Sequence, residues 1–325
     1  MPSILVTGAG GFIGSHLVEA LVRDGHSVRA MVRYNGRGDR GNLEFVPRET
    51  QAKVEVLAGD VTDPFFVRNA VKGCDLVFHL AALIAIPFSY IAPRNVFDVN
   101  TMGTLHVAQA CLDHNAAMVH TSTSEVYGTA QTVPIAETHP LVGQSPYAAS
   151  KIGADQCVAS FHRSFGLRAV TVRPFNTYGP RQSARAVIPT IIGQVLTSDV
   201  ARLGSTHTTR DLNYVGDTVA GFIAAGLAVD RVAGQTFNLG TGREISVGDL
   251  ATKIFALVGK PVRIETDPQR VRPAASEVER LLADSSRAKS ALGWEPRTTF
   301  DEGLSHTIDH VRAHLDRYRP SEYAR

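Results

Sequence analysis

The sequence predicts an α/β protein with a doubly wound parallel sheet and a smaller, interleaved C-terminal α/β lobe. Short apolar runs alternate with helical periodicity, which is typical of buried parallel strands joined by crossover helices. A glycine-rich turn directly follows the first apolar run. After Arg173 the alternation breaks down and prolines become frequent. Together these observations indicate one regular sheet domain and one less regular lobe.

Six apolar runs in the first half of the chain have the length of buried strands. They are Ile4–Val6, Val28–Val32, Val54–Leu57, Leu76–Leu80, Met118–Thr121 and Ala169–Val172. Helical periodicity is found at Phe12–Arg23, Phe65–Val71, Phe97–His114 and Tyr147–Phe165. Because ligands of open α/β sheets bind beyond the carboxyl ends of the strands, we expect the functional site at that edge.

The second half predicts shorter elements that are shared between the sheet and the lobe. They are a helix at Val187–Leu196, sheet-like runs at Leu212–Val215 and Thr236–Leu239, a helix at Val247–Val258, a strand at Val262–Glu265, a helix ending near Leu292 and a last helix from Phe300. We expect residues 1–178, with returning segments near 212–240, to form the sheet domain. Residues 179–211 and 241–325 are expected to form the substrate-binding lobe.

Composition excludes several classes of protein. A chain of 325 residues that is 44% hydrophobic can bury a large core, so a disordered protein is excluded. With 33 Lys and Arg against 31 Asp and Glu and no basic run, nucleic acid is not an expected partner. The chain lacks a signal-like N-terminus and an apolar run of about 20 residues, so we expect a cytoplasmic protein without a membrane partner. No metal site is expected.

The glycine-rich turn is the first candidate site. Gly8, Gly11 and Gly14 are spaced G-x-x-G-x-x-G between the first strand and the first helix, with Phe12 and Ile13 inside the turn. Glycine lets the backbone approach a pyrophosphate, and the free N–H groups of the helix N-terminus bind its oxygens. This turn therefore predicts binding of a dinucleotide.

The end of the second predicted strand bears on the choice between NAD and NADP. An acidic residue there would bind the ribose 2′-hydroxyl, whereas a cation would accept a 2′-phosphate. Val32 stands where the acid is expected, and Arg33 follows it, which favours NADP. Asp60, after the third strand, is the expected partner of the adenine amine.

Tyr147 and Lys151 are the candidate catalytic pair. They lie four residues apart on a predicted helix, so both side chains project from one face. An ammonium near a phenol stabilises the phenolate, which can then act as a general base. The polar run Thr121–Glu125 ends the preceding strand and adds Thr123, Ser124 and Glu125 as further candidates.

At this point the chain resembles the extended short-chain dehydrogenase/reductase family, also called the NAD-dependent epimerase/dehydratase family. The motifs that carry the resemblance are Thr7–Gly14, Gly59–Val61, His79–Ala82, Asn100 with Gly103–Thr104, Ser122–Gly128, Tyr147 with Lys151, Arg173–Arg181, Arg210–Asp211 and Asn238–Gly240. Residues 82–90, 182–190 and 271–281 look most like UDP-N-acetylglucosamine 4,6-dehydratases of the legionaminic-acid type. The chain is also similar to GDP-mannose 4,6-dehydratases.

The resemblance implies a Rossmann fold, a cofactor site and a substrate site. It assigns Val61, Leu80, Ala81, Ala82, Asn100, Tyr147, Lys151 and Pro174 to a tightly bound dinucleotide, and it favours NAD. It assigns Pro87, Ser122, Thr123, Asn176, Arg185, Val187, Arg210, Arg272 and Glu277 to a nucleotide-sugar substrate. It also implies a homodimer formed through a bundle of the helices at Phe97–His114 and Tyr147–Phe165.

The resemblance further implies a 4,6-dehydratase, in which hydride leaves C4 for the nicotinamide and later returns to C6. Tyr147 would take the proton of the 4-hydroxyl with Thr123 as its hydrogen-bond partner, and Glu125 would remove the C5 proton. Either protonated Glu125 or a relay through Ser124 would protonate the departing 6-hydroxyl. A UDP-glucuronate decarboxylase, a 4-epimerase, a 5,6-dehydratase and a catalytically idle nucleotide-binding protein remain as alternatives.

Overall fold

The structure, a computed structural model, describes residues 2–318. The strands are β1 (Ser3–Thr7), β2 (Ser27–Arg33), β3 (Val54–Gly59), β4 (Leu76–His79), β5 (Ala117–Thr121), β6 (Ala169–Pro174), β7 (Asn176–Tyr178), β8 (Val200–Leu203), β9 (Thr209–Tyr214), β10 (Thr236–Leu239), β11 (Glu244–Ser246), β12 (Arg263–Thr266) and β13 (Arg280–Leu281). The expected sheet domain and lobe extend to Met1 and to residues 319–325, which lie outside the described residues.

The structure contains fourteen α-helices within residues 2–318, and those of the first half of the chain alternate with the strands. They are α1 (Phe12–Arg23), α2 (Arg48–Gln51), α3 (Pro64–Val71), α4 (Ile86–Ile91), α5 (Pro93–Phe97), α6 (Gly103–Asp113), α7 (Pro146–Phe165), α8 (Val187–Thr197), α9 (Val215–Leu227), α10 (Val229–Val232), α11 (Val247–Val258), α12 (Ser286–Leu292), α13 (Phe300–Ala313) and α14 (Leu315–Tyr318). None of the helices within residues 2–318 is long and apolar enough to span a bilayer.

Seven parallel strands form the main sheet in the order β10-β6-β5-β4-β1-β2-β3. The chain starts at β1 in the middle, winds out to β3, returns to β4 and winds out the other way, which confirms the doubly wound sheet. Side chains of β1 alternate between two cores, because Ile4 and Val6 pack on one face and Leu5 packs on the other. The carboxyl ends of β1, β4, β5 and β6 therefore meet at one edge.

The lobe is built on a second sheet in the order β11-β9-β13, with β7 paired to β9, and on the pair β12-β8. Its core packs α8 against α11 and α13 through residues such as Ile191, Ile254 and Ile308. β7 begins two residues after β6 ends, so the chain passes from one sheet to the other at Phe175. This short connection places the lobe beside the carboxyl edge of the main sheet.

Two helices illustrate how the structure departs from the sequence expectation. In place of the single helix expected at Phe97–His114, the structure has three consecutive helical segments: α5, a π-helical turn at Asp98–Met102 and α6. The helical region therefore begins at Pro93, and its backbone is wider at the π-helical turn. Helix α9 was not expected at all, since its glycines weaken helical propensity. They are needed because α9 lies tightly on the sheet: a Cβ on Gly221 would lie 2.4 Å from Leu239, and one on Gly226 would lie 2.6 Å from Phe78.

Candidate active site

The glycine-rich turn connects β1 to α1. Its backbone packs closely against itself and against the loop that follows β4. Gly8 has a φ of +68°, and a Cβ there would lie 2.7 Å from the amide nitrogen of Ala81. A Cβ on Gly14 would lie 2.3 Å from the carbonyl oxygen of Gly8. Gly11 donates from its amide to that same oxygen at 2.9 Å. Larger residues at Gly8 and Gly14 are therefore excluded by the backbone itself.

The N-terminus of α1 has the donor groups that a pyrophosphate needs. Gly11 is the N-cap residue, and no side chain caps the helix. The first-turn amides, including those of Phe12 and Ile13, therefore lack an intrahelical acceptor and point out of the helix end. This donor set fits a dinucleotide pyrophosphate.

Arg33 and Asp60 lie together at the neighbouring strand ends. The Arg33 Nε is 3.8 Å from an Asp60 carboxylate oxygen, and the Arg33 side chain is 74% exposed. The other Asp60 oxygen accepts from the amide and hydroxyl of Thr62. Val61, the next residue, is buried. The two residues expected at the adenosine end are therefore neighbours, and Asp60 partly neutralises Arg33.

The loop after β4 is held by buried polar side chains. The Thr7 hydroxyl accepts from the amides of Leu80 and Ala81 and lies 2.8 Å from His79 Nδ1. The side chain of Asn100 bonds both the amide and the carbonyl of Leu83 and donates to the Ser150 hydroxyl. The Asn100 amide is fully buried and joins the loop that contains Ala82 to α7, and its expected place in the cofactor site stays a prediction.

Helix α7 carries Tyr147 and Lys151 on its buried face. It begins with Ser145 as N-cap and Pro146 in its first turn, and it ends at Gly166 in a left-handed conformation. Lys151 is 3% exposed, and its Nζ donates to the carbonyl oxygen of Thr121 at 2.6 Å. Burial lowers the pKa of Lys151 from 10.5 to about 8, and the Asp155 charge acts in the opposite direction.

Thr123 and Glu125 stand at the end of β5, next to Tyr147. Thr123 caps a short 3₁₀ helix at Ser124–Tyr127, and its hydroxyl accepts from the Glu125 amide at 3.2 Å. Burial raises the pKa of Tyr147, its hydrogen bond with Thr123 lowers it, and the nearby carboxylates of Glu125 and Asp155 raise it. Ser124 is 3% exposed. The protein alone therefore holds Tyr147 as a neutral phenol beside Thr123 and Glu125.

A buried carboxylate, Asp155, lies one helical turn beyond Lys151 and was missed by the sequence analysis. Its oxygens accept from Ser122 Oγ at 2.8 Å, from His120 Nε2 at 3.1 Å and from Arg173 Nη2 at 2.9 Å. The spacing of Tyr147, Lys151 and Asp155, four residues apart each time, was the available signal. Ser122, which is expected to bind substrate, donates its hydroxyl to Asp155 and is 3% exposed.

Three of the expected substrate residues form an ionic cluster in the lobe. Glu277 Oε1 lies 3.4 Å from Arg210 Nη2 and 3.6 Å from Arg272 Nη1. That Arg272 nitrogen is buried and has no hydrogen-bond partner among residues 2–318. Burial lowers the pKa of Arg210, while the carboxylates of Glu125 and Glu277 raise it. Arg210 therefore belongs to the ionic cluster and also interacts electrostatically with Glu125.

The remaining expected substrate and cofactor residues have fewer specific contacts. Pro174 ends β6, and the Oδ1 atom of Asn176 in β7 is buried without a partner among the described residues. Pro87 lies in the first turn of α4, and Val187 begins α8. Arg185 is exposed and donates to Ser183. Asn176 therefore has an acceptor free for a ligand, whereas Arg185 is a solvated cation.

The chain is similar to known nucleotide-sugar dehydratases and epimerases along almost its whole length. Residues 5–307 match the family model for GDP-mannose 4,6 dehydratase. A UDP-glucose 4-epimerase of Mycolicibacterium smegmatis is 34% identical over 315 residues, covering 95% of this chain and 98% of the relative. A dTDP-glucose 4,6-dehydratase of an Actinoplanes species is 32% identical over 318 residues, with the same coverage. A crystal structure of a double mutant of the Streptomyces venezuelae dTDP-glucose 4,6-dehydratase with NAD bound is 28% identical, with a TM-score of 0.87 over 98% of this chain and 99% of that one.

Proposed function

We propose a specific reaction for this chain, which belongs to the family of GDP-mannose 4,6 dehydratase and related NAD-dependent nucleotide-sugar dehydratases and epimerases. The reaction is the 4,6-dehydration of a nucleotide hexose to its 4-keto-6-deoxy product. UDP-N-acetylglucosamine is the proposed substrate, because residues 82–90, 182–190 and 271–281 resemble dehydratases that act on it. The net change is the loss of one water molecule.

The position of Glu125 is the observation that carries this proposal. Its charge acts on the Tyr147 phenol on one side and on the Arg210 guanidinium on the other. A sugar placed between the hydride-transfer residues and the anion-binding arginines would therefore have a carboxylate beside it. A 4-epimerase needs no base at C5, whereas a 4,6-dehydratase does.

The side chains can account for every proton in the reaction. Tyr147, hydrogen-bonded to Thr123, would receive the 4-hydroxyl proton as a phenolate, the form that the Lys151 ammonium and the positive charge of a bound oxidised dinucleotide would favour. Glu125 receives the C5 proton, which the new 4-ketone makes acidic, and passes a proton to the departing 6-hydroxyl directly or through Ser124. The proton held by Tyr147 balances the one that C5 regains, so two protons are taken and two are returned.

The cofactor site fits a dinucleotide through the uncapped N-terminus of α1 and the backbone approach at Gly8. When bound, the dinucleotide supplies the acceptor for the C4 hydride and the donor that reduces C6. Tyr147 and Lys151 would contact its nicotinamide end, with Pro174 and Leu80–Ala82 lining the strand ends. We propose NAD as the form used, because Asp60 places a negative charge beside Arg33, where a 2′-phosphate would be repelled.

The experiment is incubation of the purified chain with UDP-, GDP-, CDP- and dTDP-hexoses, followed by mass spectrometry. Loss of water from UDP-N-acetylglucosamine, with a 4-keto-6-deoxy product that absorbs in base, supports the proposal. Loss of carbon dioxide from UDP-glucuronate would replace it with a decarboxylase. An isomer of unchanged mass would indicate a 4-epimerase, and no conversion of any sugar would indicate a nucleotide-binding protein.

We also propose a homodimer and a cytoplasmic location. Phe97 and Met102 lie on the expected bundle helices and are 39% and 43% exposed, and Phe165 at the end of α7 is 60% exposed. Pairing α5–α6 and α7 with a second copy would bury such side chains. All three cysteines are unpaired thiols, which suits a reducing compartment. Sedimentation of the purified chain tests the dimer: a monomer at micromolar concentration would overturn it.

A further inference from the structure

The catalytic helix is joined to the two strands beneath it by a buried ionic network that the proposed reaction steps do not use. Asp155 of α7 is 5% exposed, and Arg173 of β6 is 6% exposed. The Arg173 guanidinium donates to Asp155 through both Nε and Nη2, at 3.2 and 2.9 Å. Its Nη1 donates to the Tyr127 hydroxyl, which in turn donates to Asn238 at 2.7 Å.

This network is more than a local ion pair, because it reaches the strand end that holds the catalytic side chains. Ser122, the residue before Thr123, donates to the Asp155 oxygen that Arg173 also binds. Lys151 donates to the carbonyl of Thr121 on the same strand. One carboxylate thus fixes the separation between α7, which carries Tyr147, and the end of β5, which carries Thr123.

The Asp155 carboxylate also raises the pKa of Lys151. Two buried cations, Lys151 and Arg173, face it, and each affects its ionisation. Burial would raise the pKa of Asp155, but the His120 hydrogen bond and these two cations bring it below the ordinary value. Burial lowers the pKa values of His120 and of His79, whose rings stack 6.0 Å apart, so both imidazoles are neutral near pH 7.

We propose that Asp155 is a positioning residue of the catalytic site: it joins the helix that carries Tyr147 and Lys151 to the strand end that carries Thr123, and it supplies the negative charge that keeps Lys151 an ammonium. This inference rests on the proposed roles of Tyr147 and Lys151 in hydride transfer. A buried ion pair is in general a weak source of stability, since desolvation offsets much of the attraction. By setting the charge of Lys151, the Asp155–Arg173 ion pair would have a function beyond stability.

The test is Asp155→Asn, which keeps the shape of the side chain and removes its charge. The chain has six lysines, so ¹³C labelling of lysine side chains resolves them by NMR, and Lys151→Arg identifies the signal of Lys151. We expect the Lys151 titration midpoint to fall by about one pH unit in Asp155→Asn, because the carboxylate that favours the ammonium is removed. This measurement needs neither cofactor nor substrate.

Ser122→Ala is the matched control, because it removes one hydrogen bond to Asp155 and no charge. We expect it to leave the Lys151 midpoint unchanged. If Asp155→Asn fails to fold with Arg173 unpaired, the double variant Asp155→Asn/Arg173→Gln removes both charges. The Lys151 midpoint should still fall, by a smaller amount, because loss of the Arg173 cation favours the ammonium. An unmoved Lys151 midpoint in a folded variant without the Asp155 charge would overturn the proposal.

A second readout uses the rate of C4 oxidation against pH. The groups that face this region are Tyr147 and Lys151 on α7, His120 on β5, Arg173 on β6, His79 on β4 and Glu125. Without Asp155, the pKa values of Lys151 and Tyr147 both fall, so both limbs of the profile move to lower pH. A purely structural role would lower the rate at every pH without moving either limb. If the parent converts no sugar, the proposed function fails while the NMR titration still decides the role of Asp155.

Discussion

The sheet domain and the lobe hold their charged groups in different ways. Asp155 and Lys151 in the sheet domain are almost fully buried, and hydrogen bonds of 2.6–3.2 Å surround them. In the lobe, the side chains of Arg210, Arg272 and Glu277 are 11%, 28% and 12% exposed, and their ionic contacts are 3.4 and 3.6 Å long. The sheet domain is therefore preorganised for chemistry, whereas an anionic ligand can compete for the loosely paired arginines.

This comparison predicts that substitutions in the two regions change different kinetic constants. In the proposed reaction, side chains at the end of β5 and on α7 act on the reacting atoms, so their loss should lower kcat. The same proposal has the arginines of the lobe bind a part of the substrate that does not react, so their loss should raise KM.

The largest effect is expected for Tyr147→Phe, which removes the hydroxyl that lies beside Thr123. General-base catalysis contributes about 10²–10⁴-fold, so kcat for C4 oxidation should fall by at least about a hundredfold. Reduced nicotinamide formed in a single turnover measures this step, and calorimetric titration of NAD checks that the cofactor still binds. Activity within a few-fold of the parent would place the base elsewhere and break the comparison.

Glu125→Gln should separate the two halves of the reaction. C4 oxidation needs Tyr147 but not Glu125, so reduced nicotinamide should still form while loss of water falls by about 10²-fold or more. Absorbance of the cofactor and mass of the sugar, measured on the same sample, report the two steps. The control is Glu55→Gln, an exposed carboxylate of β3 that pairs with Arg29. Unchanged formation of the dehydrated product would show that another group removes the C5 proton.

The next effect is smaller and lies in the lobe. Arg210→Met removes a guanidinium whose side chain is 11% exposed and leaves Glu277 paired with Arg272. A hydrogen bond to a charged group contributes about 1.5–3 kcal/mol, so KM and the Kd of UDP should rise by about tenfold to a hundredfold. The exposed Arg185 provides the control, since Arg185→Met should change either constant by less than about fivefold. A loss of kcat at unchanged KM would assign Arg210 to the chemical step.

The sheet domain was readily predictable from sequence, and the reasons are physical. Its strands are continuous apolar runs because both faces of the sheet are covered, and α1 begins and ends at the expected residues, Phe12 and Arg23. The spacing of Tyr147 and Lys151 places them on one helix face without reference to the rest of the fold. Local periodicity was therefore sufficient to predict most of the sheet domain.

Helix α9 and the polar network depend on tertiary packing, which local patterns do not encode. The glycines of α9 weaken its helical signal, yet they are required by contacts with Leu239 and Phe78, far away in the sequence. Asn100 and Ser122 belong to recognisable motifs, but their partners, Leu83 and Asp155, become evident only in three dimensions. The sequence therefore indicates which polar residues belong to the candidate site, but it does not indicate which side chains or backbone groups they contact.

The smallest effect is expected at Arg33. This arginine belongs to the sheet domain but, like the arginines of the lobe, it is only loosely paired with a carboxylate. Its guanidinium is 74% exposed and 3.8 Å from Asp60, and exposed ion pairs contribute about 0.2–1 kcal/mol. Arg33→Ala should therefore change the Kd of NAD by less than about fivefold. Calorimetric titration of parent and variant with NAD and NADP measures this, and the parent should bind NAD more tightly. A parent that prefers NADP, and loses that preference in Arg33→Ala, would show that Arg33 binds a 2′-phosphate despite Asp60.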